Sequence, residues 1–177
     1  EGTLLDDVLA PMRAVLDGWR IVFEEQAQAF DRASADAAAE SRRKVRTLAG
    51  NYQLMAMMPW LLMPVRNPIF IQFVSHKVLR LVAPFAMLAL LLANLAMAGE
   101  GAGWVAFLMV QLAGYALPLA GRFWPAVGAW RVTKLASAFV LLNGYAVLGL
   151  RQFLSQRDGH LWQSHPANGA DRSKGQP

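Results

Sequence analysis

Long apolar runs without charges occupy the second half of the chain, whereas the first fifty residues mix polar, charged and apolar positions. Uncharged runs extend over 81–99, 101–121 and 135–150. About 20 apolar residues, rising 1.5 Å each, cross the ~30 Å hydrocarbon core of a bilayer. The third run is the shortest and fits either a tight span or a helix lying partly in the interface. The pattern predicts membrane helices over about 78–98, 103–121 and 133–151.

Residues 51–77 connect the polar first part to the first apolar run and are rich in Met, Trp and Pro. Prolines at 59, 64 and 68 interrupt this segment too often for a membrane-crossing helix. Side chains such as Trp60 suit the headgroup boundary, which predicts amphipathic helices at the interface. His76 is expected to form interfacial hydrogen bonds rather than bind a metal, because no cluster of other ligands lies nearby.

The first fifty residues show helix, strand and helix patterns in turn. Apolar residues at helical spacing predict a helix over Asp7–Asp17 that ends at Gly18. Arg20–Phe23 reads as a short strand, and Ala35–Gln53 as a longer helix. A single strand needs neighbours to pair its backbone. We therefore expect residues 1–50 to be the C-terminal part of a larger α/β domain, an expectation that the absence of Met at position 1 supports.

Composition narrows the class of protein. The chain is 55% hydrophobic and 16% charged, against about 25% charged residues in an ordinary soluble domain. It has no cysteine, which excludes a disulfide-stapled secreted fold. The net charge of +5 does not indicate nucleic-acid binding, because the bases flank apolar runs and no nucleic-acid-binding motif is present. The fold class expected is a mainly α membrane protein with a polar head.

The distribution of bases predicts an orientation. Bases precede the first apolar run and lie between the second and third, whereas the turn between the first two runs carries only Glu100. The positive-inside rule then places residues 1–80 and 122–134 in the cytoplasm, as in a multi-pass protein of a bacterial inner membrane. Arg151 and Arg157 flank the third run, so the side of the tail stays open. The tail, 152–177, is expected to be flexible, with Trp162 as an interfacial anchor.

Three amides interrupt the apolar runs: Asn94, Gln111 and Asn143. Polar groups are costly in hydrocarbon and face protein or water. They therefore either line a path for a substrate or form hydrogen bonds between helices, and the second interpretation is favoured.

Two charged motifs are candidates for chemistry. The first is Leu5-Asp6-Asp7, whose carboxylates either cap a helix or supply a general base. The second is the basic run at 42–46, in which Arg43 and Arg46 share a helical face. Those arginines suit either a diphosphate or anionic lipid headgroups. Spacing alone favours the cap for the acids and leaves the basic run undecided.

In order and spacing, these motifs resemble the C-terminal part of the catalytic domain of membrane-bound family 2 glycosyltransferases, which include cellulose, chitin and hyaluronan synthases. In that family a T-E-D motif and a helix precede a G-W/Y-R strand, and a Q-x-x-R-W motif lies on an interface helix before the membrane helices. Here L-D-D ends at Asp7, the sequence GWRIVF follows at 18–23, and RKVRT follows at 43–47. The resemblance covers about residues 1–80 and implies a GT-A domain remnant.

The resemblance implies inverting transfer of a sugar from a nucleotide sugar to an acceptor hydroxyl. Asp7 would be the base, Asp6 would support the acceptor site, and Arg43 and Arg46 would stabilise the departing nucleoside diphosphate. Arg43 and Thr47 replace the motif's Gln and Trp, so a single-transfer enzyme or a non-cellulosic polymer synthase is expected at least as much as a processive synthase.

The family also implies partners. It uses a divalent cation, Mg²⁺ or Mn²⁺, but the D-x-D motif that binds it is absent from this sequence, and we predict no metal site in the chain. The expected partners are membrane lipids, the nucleotide-sugar donor, a glycan or lipid-linked acceptor, and an N-terminal part of the same enzyme, without which the chain would be inactive. The alternative function is a non-enzymatic membrane scaffold or transporter subunit with a basic cytoplasmic head.

Overall fold

A computed structural model describes residues 5–28 and 36–155, with the side chain of Asp6 excepted. All regular structure in these residues is helical, which confirms the mainly α class. The expected tail beyond residue 155, including Arg157 and Trp162, lies outside the described residues. The helices are α1 (Asp6–Leu16), α2 (Ala37–Met57), α3 (Phe70–Phe73), α4 (Leu79–Met97), α5 (Ala102–Phe123), α6 (Pro125–Gly128) and α7 (Arg131–Ser155), with short 3-10 turns at Pro59–Leu62 and Ala98–Glu100.

The predicted strand at Arg20–Phe23 is wrong. These residues have no regular secondary structure, and the described part of the chain contains no strand with which they could pair. A strand is stable only when its backbone groups bond to a neighbouring strand. The side chains of Ile21, Val22 and Phe23 are instead exposed.

Helix α1 is amphipathic and packs through its apolar face. Its end forms the hydrogen-bond pattern of a Schellman motif, with the Gly18 N–H bonded to the Val15 carbonyl and the Trp19 N–H to the Ala14 carbonyl. Gly18 has φ of 87°, a conformation that glycine adopts without steric cost. The predicted end of this helix is confirmed.

The apolar face of α1 forms part of a cluster, here called the head cluster. Its buried members come from α1, the end of α2, the 3-10 turn that follows, and α3: Leu9, Leu54, Met58, Leu61 and Phe73. The cluster joins the polar head to the helix that leads into the first apolar run.

Helix α2 begins and ends where its sequence places a cap and a breaker. The Asp36 carboxylate accepts a hydrogen bond from the Ala39 N–H at the first turn. At the other end, Pro59 disfavours the helical conformation of Met58, and the helix stops at Met57. The predicted helix, Ala35–Gln53, is therefore shifted and extended. The boundary between 50 and 51 falls inside α2.

Three helical stretches are long and apolar enough to cross a membrane: Phe70–Glu100, Ala102–Phe123 and Arg131–Ser155. The first is continuous because a π-helical turn, Val74–Val78, joins α3 to α4. The third contains 25 residues, so it is not shorter than a span requires. Helix α5 contains no buried residue, and most of its large apolar side chains are exposed, as expected for contact with lipid. These features are consistent with a multi-pass membrane protein.

The head docks against the last of the three membrane-capable helices at a close crossing of α2 and α7. Leu48 and Ala49 of α2 lie directly against Gly149 of α7. A Cβ atom at Gly149 would lie 2.9 Å from the Leu48 Cβ and 3.0 Å from the Ala49 amide nitrogen. Only a residue without a side chain permits this approach, and we call the contact the Gly149 crossing.

Tyr52 ties the same crossing to α4. Its ring stacks on that of Phe153 in α7, with centroids 6.2 Å apart, and its hydroxyl donates a hydrogen bond to the Leu81 carbonyl at 3.3 Å. Burial raises the pKa of the Tyr52 phenol above its ordinary value. The hydroxyl, which is protonated at neutral pH in any tyrosine, therefore remains able to donate further into the alkaline range.

Candidate functional site

The acidic motif lies in the first turn of α1. The Asp7 side chain is exposed, and within the described residues it forms no ion pair or hydrogen bond. Leu9, two residues further along the same helix, is buried in the head cluster. The helix is therefore fixed by one face while the carboxylate of Asp7 is presented to solvent. The backbone of Asp6 begins the helix, and its side chain lies outside the described part.

The basic run lies near the middle of α2, just before its buried segment. Arg43 and Arg46 are both exposed and lie about one turn apart. Lys44 is paired with Glu40 at 3.4 Å on the same helix. The Thr47 hydroxyl, at the position where the family motif has Trp, donates to the Arg43 carbonyl at 3.0 Å. The basic run is thus on a rigid helix whose next turn, Leu48–Asn51, is fully buried.

The head cluster relates the two motifs to each other. It attaches α1 to the part of α2 around Leu54 and Met58. Arg46 lies eight positions before Leu54, about 12 Å along the helix axis at 1.5 Å per residue. The structure therefore holds the acidic and basic motifs on two helices of one head, with no direct bond to Asp7 among the described residues.

The described residues do not fit a divalent cation. No group of three or more His, Cys, Asp or Glu side chains comes together in the part of the chain that the structure describes. Mg²⁺ is held by carboxylates and water in octahedral geometry, and Asp7 alone does not supply such a set. We therefore assign no chemical step here to a metal.

In the membrane-capable helices, two of the three amides join α4 to α5. The buried Asn94 donates to the Gln111 side-chain oxygen at 2.8 Å, and Gln111 donates to the Tyr115 hydroxyl at 2.8 Å and to the Met87 carbonyl at 3.2 Å. The interpretation as hydrogen bonds between helices is confirmed for Asn94 and Gln111. We call this network the α4–α5 amide clamp.

Asn143 behaves differently, because its side chain donates to the Phe139 carbonyl of its own helix at 2.8 Å. The interhelical interpretation is therefore wrong for this residue. Asn143 lines an open apolar groove of about 320 Å³ between α4 and α7, together with Pro84 and Tyr115. An amide satisfied by its own helix needs no partner on another helix.

Three contacts that hold the site in place had weak signals in the sequence. Gly149 lies in an apolar run whose sequence does not indicate a close approach of another helix. Tyr115 follows Gln111 by four positions, the spacing of helical neighbours, which would have indicated the clamp. Asn67 is buried and organises the turn before α3, donating to the Leu61 carbonyl at 2.8 Å and accepting from the Ile69 N–H at 3.0 Å.

Comparison of the chain with models of known protein families, with curated proteins and with solved structures finds no match.

Proposed function

We propose that this chain is the membrane-proximal part of a family 2 glycosyltransferase that transfers a sugar from a nucleotide sugar to an acceptor hydroxyl with inversion. Residues 1–50 are then the end of a cytoplasmic GT-A domain, and the three apolar helices lie in a bacterial inner membrane. The observation that carries it is the exposed Asp7 carboxylate, which has no partner among the described residues and lies on a helix fixed through Leu9 against the segment that leads into the first apolar helix.

In the proposed reaction, the Asp7 carboxylate accepts the proton of the acceptor hydroxyl. The acceptor oxygen forms a bond to the anomeric carbon as the bond from that carbon to the diphosphate oxygen breaks. The electron pair leaves with the diphosphate, and displacement from the opposite face inverts the configuration. Asp6 supports the acceptor, and Arg43 and Arg46 stabilise the negative charge that develops on the diphosphate. A positioned base contributes about 10²–10⁴-fold to such a rate.

The exposure of the acidic and basic motifs on one head supports these roles. A base must reach the hydroxyl proton directly or through one water, and a buried or ion-paired Asp7 would not do so. Arginine suits a diphosphate because its planar guanidinium binds two phosphate oxygens at once. Asp7 and Arg46 lie on separate helices, so an acceptor and a donor can approach from different directions.

The test uses the natural polypeptide that contains this chain, with any segment that precedes Glu1 in its reading frame, in membranes supplied with a panel of nucleotide sugars. We expect Asp7→Asn to lower the release of nucleoside diphosphate by about 10²–10⁴-fold. Its matched control, Glu25→Gln, changes another exposed acid of the head and should leave the rate unchanged. Arg46→Gln should reduce the rate by about 10²–10³-fold, with Lys44→Gln as its control.

Membrane insertion should be equal in all four variants. Full turnover by Asp7→Asn would refute the role of the base. If no nucleotide sugar is consumed by the unmodified polypeptide, the scaffold or transporter function replaces the enzymatic one.

A further inference from the structure

A cavity of about 350 Å³ lies where the end of α1 meets the end of α2. Its size falls within the range of small-molecule sites, about 300–1,000 Å³. It is distinct from the proposed transfer site, since Asp7 lies at the opposite end of α1. Its lining combines one base, one acid, one indole and three apolar side chains: Arg13, Asp17, Trp60, Leu16, Met57 and Met58.

The cavity has one positive and one negative side chain in its lining. Arg13 and Asp17 lie one turn apart on α1, and both are exposed. Neither side chain forms an ion pair or hydrogen bond within the described residues. A base that precedes an acid by four positions is the weaker order for a helical ion pair, which is a reason for the two to remain apart. The walls therefore offer one positive and one negative partner to a single ligand.

The cavity lies at the boundary between the head and the membrane helices. Met58 lines it and also packs in the head cluster with Phe73, which belongs to the first membrane-capable stretch. Trp60 is partly exposed beside it, and indole rings concentrate at the headgroup level of membranes. A ligand here would reach the cavity from the membrane surface.

We infer that this cavity binds the headgroup of a zwitterionic phospholipid of the phosphoethanolamine type. The Arg13 guanidinium binds the phosphate diester in a charge-assisted pair. The Asp17 carboxylate accepts hydrogen bonds from the ammonium, to which the indole of Trp60 adds a cation–π attraction. Leu16, Met57 and Met58 cover the glycerol and the first methylene groups. The inference rests on the membrane location in the proposed function but not on its chemistry.

The experiment uses the full 177-residue chain, first floated with vesicles of phosphatidylethanolamine and phosphatidylglycerol. Lipid affinity is then measured by native mass spectrometry in detergent, by titration with phosphatidylethanolamine, phosphatidylglycerol or diacylglycerol of the same acyl chains. The variants are Arg13→Gln and Asp17→Asn, with Arg66→Gln as a control that removes an exposed base outside the cavity. Arg13→Lys retains a point charge and guards against a folding defect in Arg13→Gln.

We expect phosphatidylethanolamine to bind more tightly than the other two lipids. Arg13→Gln should lower the affinity for both phospholipids about tenfold or more, which is the effect of losing a hydrogen bond to a charged group. Asp17→Asn should lower the affinity for phosphatidylethanolamine alone and so remove the preference for this lipid over phosphatidylglycerol. Arg13→Lys should retain part of the affinity that Arg13→Gln loses, and Arg66→Gln should leave the affinity for both phospholipids unchanged.

Three results would overturn the inference. The first is equal lipid affinity of Arg13→Gln and Arg66→Gln, and the second is diacylglycerol binding as tightly as phosphatidylethanolamine. The third is displacement of the lipid by millimolar inorganic phosphate, which would assign the site to a free phosphate. Failure of the unmodified chain to float would instead refute the membrane location in the proposed function.

Discussion

The Gly149 crossing gives the sharpest test of how the head is attached to the apolar helices. In Gly149→Ala the new Cβ would lie 2.9 Å from the Leu48 Cβ, 3.0 Å from the Ala49 nitrogen and 3.2 Å from the Leu48 carbonyl carbon. Two of these three atoms belong to the backbone, so no side-chain rotation relieves the contact. The helices must separate, and overpacking of this kind costs about 1–3 kcal/mol.

The matched control is Gly144→Ala, one and a half turns earlier on the same helix. A Cβ at Gly144 has no atom within 4 Å. Both substitutions remove a glycine from a helix interior, which by itself stabilises by about 0.5–1 kcal/mol. The difference between the two variants therefore isolates the overpacking at the crossing.

The assay is thermal unfolding of the purified chain in a mild detergent, followed by circular dichroism. We expect Gly149→Ala to be less stable than Gly144→Ala by about 1–3 kcal/mol. Each kcal/mol shifts Tm by about 2–4 °C for a chain of this size, so the two variants should differ by several degrees. Equal Tm values would show that α2 does not press against α7 at this position, and the described docking of the head would be refuted.

Three further predictions concern polar groups. Gln111→Leu should destabilise the chain by about 0.6–2 kcal/mol. Adding Asn94→Leu should lower the stability little further, because the α4–α5 amide clamp is already broken. Additive losses of stability in the double-mutant cycle would contradict this prediction. Asn67→Ala removes two hydrogen bonds of a buried amide and should cost about 1–3 kcal/mol by denaturant unfolding, unlike exposed Gln72→Ala. The pKa of Tyr52 is raised in the folded chain, so the stabilisation that its protonated hydroxyl provides is complete below pH 10 and is lost as pH rises further. Tyr52→Phe should reduce this loss of stability at alkaline pH, and an unchanged dependence of stability on pH in the variant would contradict the prediction.

Much of the fold can be predicted from local patterns in the sequence. The end of α1 at Gly18 and the apolar runs follow from neighbouring residues, because helix caps and hydrophobic length are local properties. The prediction of a strand at Arg20–Phe23 is wrong for the opposite reason, because a strand depends on pairing with another strand that is not adjacent in the sequence. Local β propensity does not supply them.

The candidate site was less accessible to sequence analysis than the helices. Asp7 and the basic run were found from order and spacing, and the structure adds their exposure and the face by which α1 is held. The Gly149 crossing joins residues far apart in the chain, and one sequence carries no signal for such a contact. Asn143 and Asn94 have the same residue type and similar surroundings in the sequence, yet only the packing of the helices decides which of them reaches a partner.

The Gly149 crossing also sets an order of events during synthesis. Leu48 leaves the ribosome about 100 residues before Gly149, an interval of roughly 5–20 s at ordinary rates of elongation. Until α7 has been made, the face of α2 around Ala49 lacks its contact with Gly149, and the head cannot take its final position. A chain that stops before α7 would carry a finished basic helix with an uncovered apolar side. The final position of the head thus depends on a helix that is synthesised about 100 residues later.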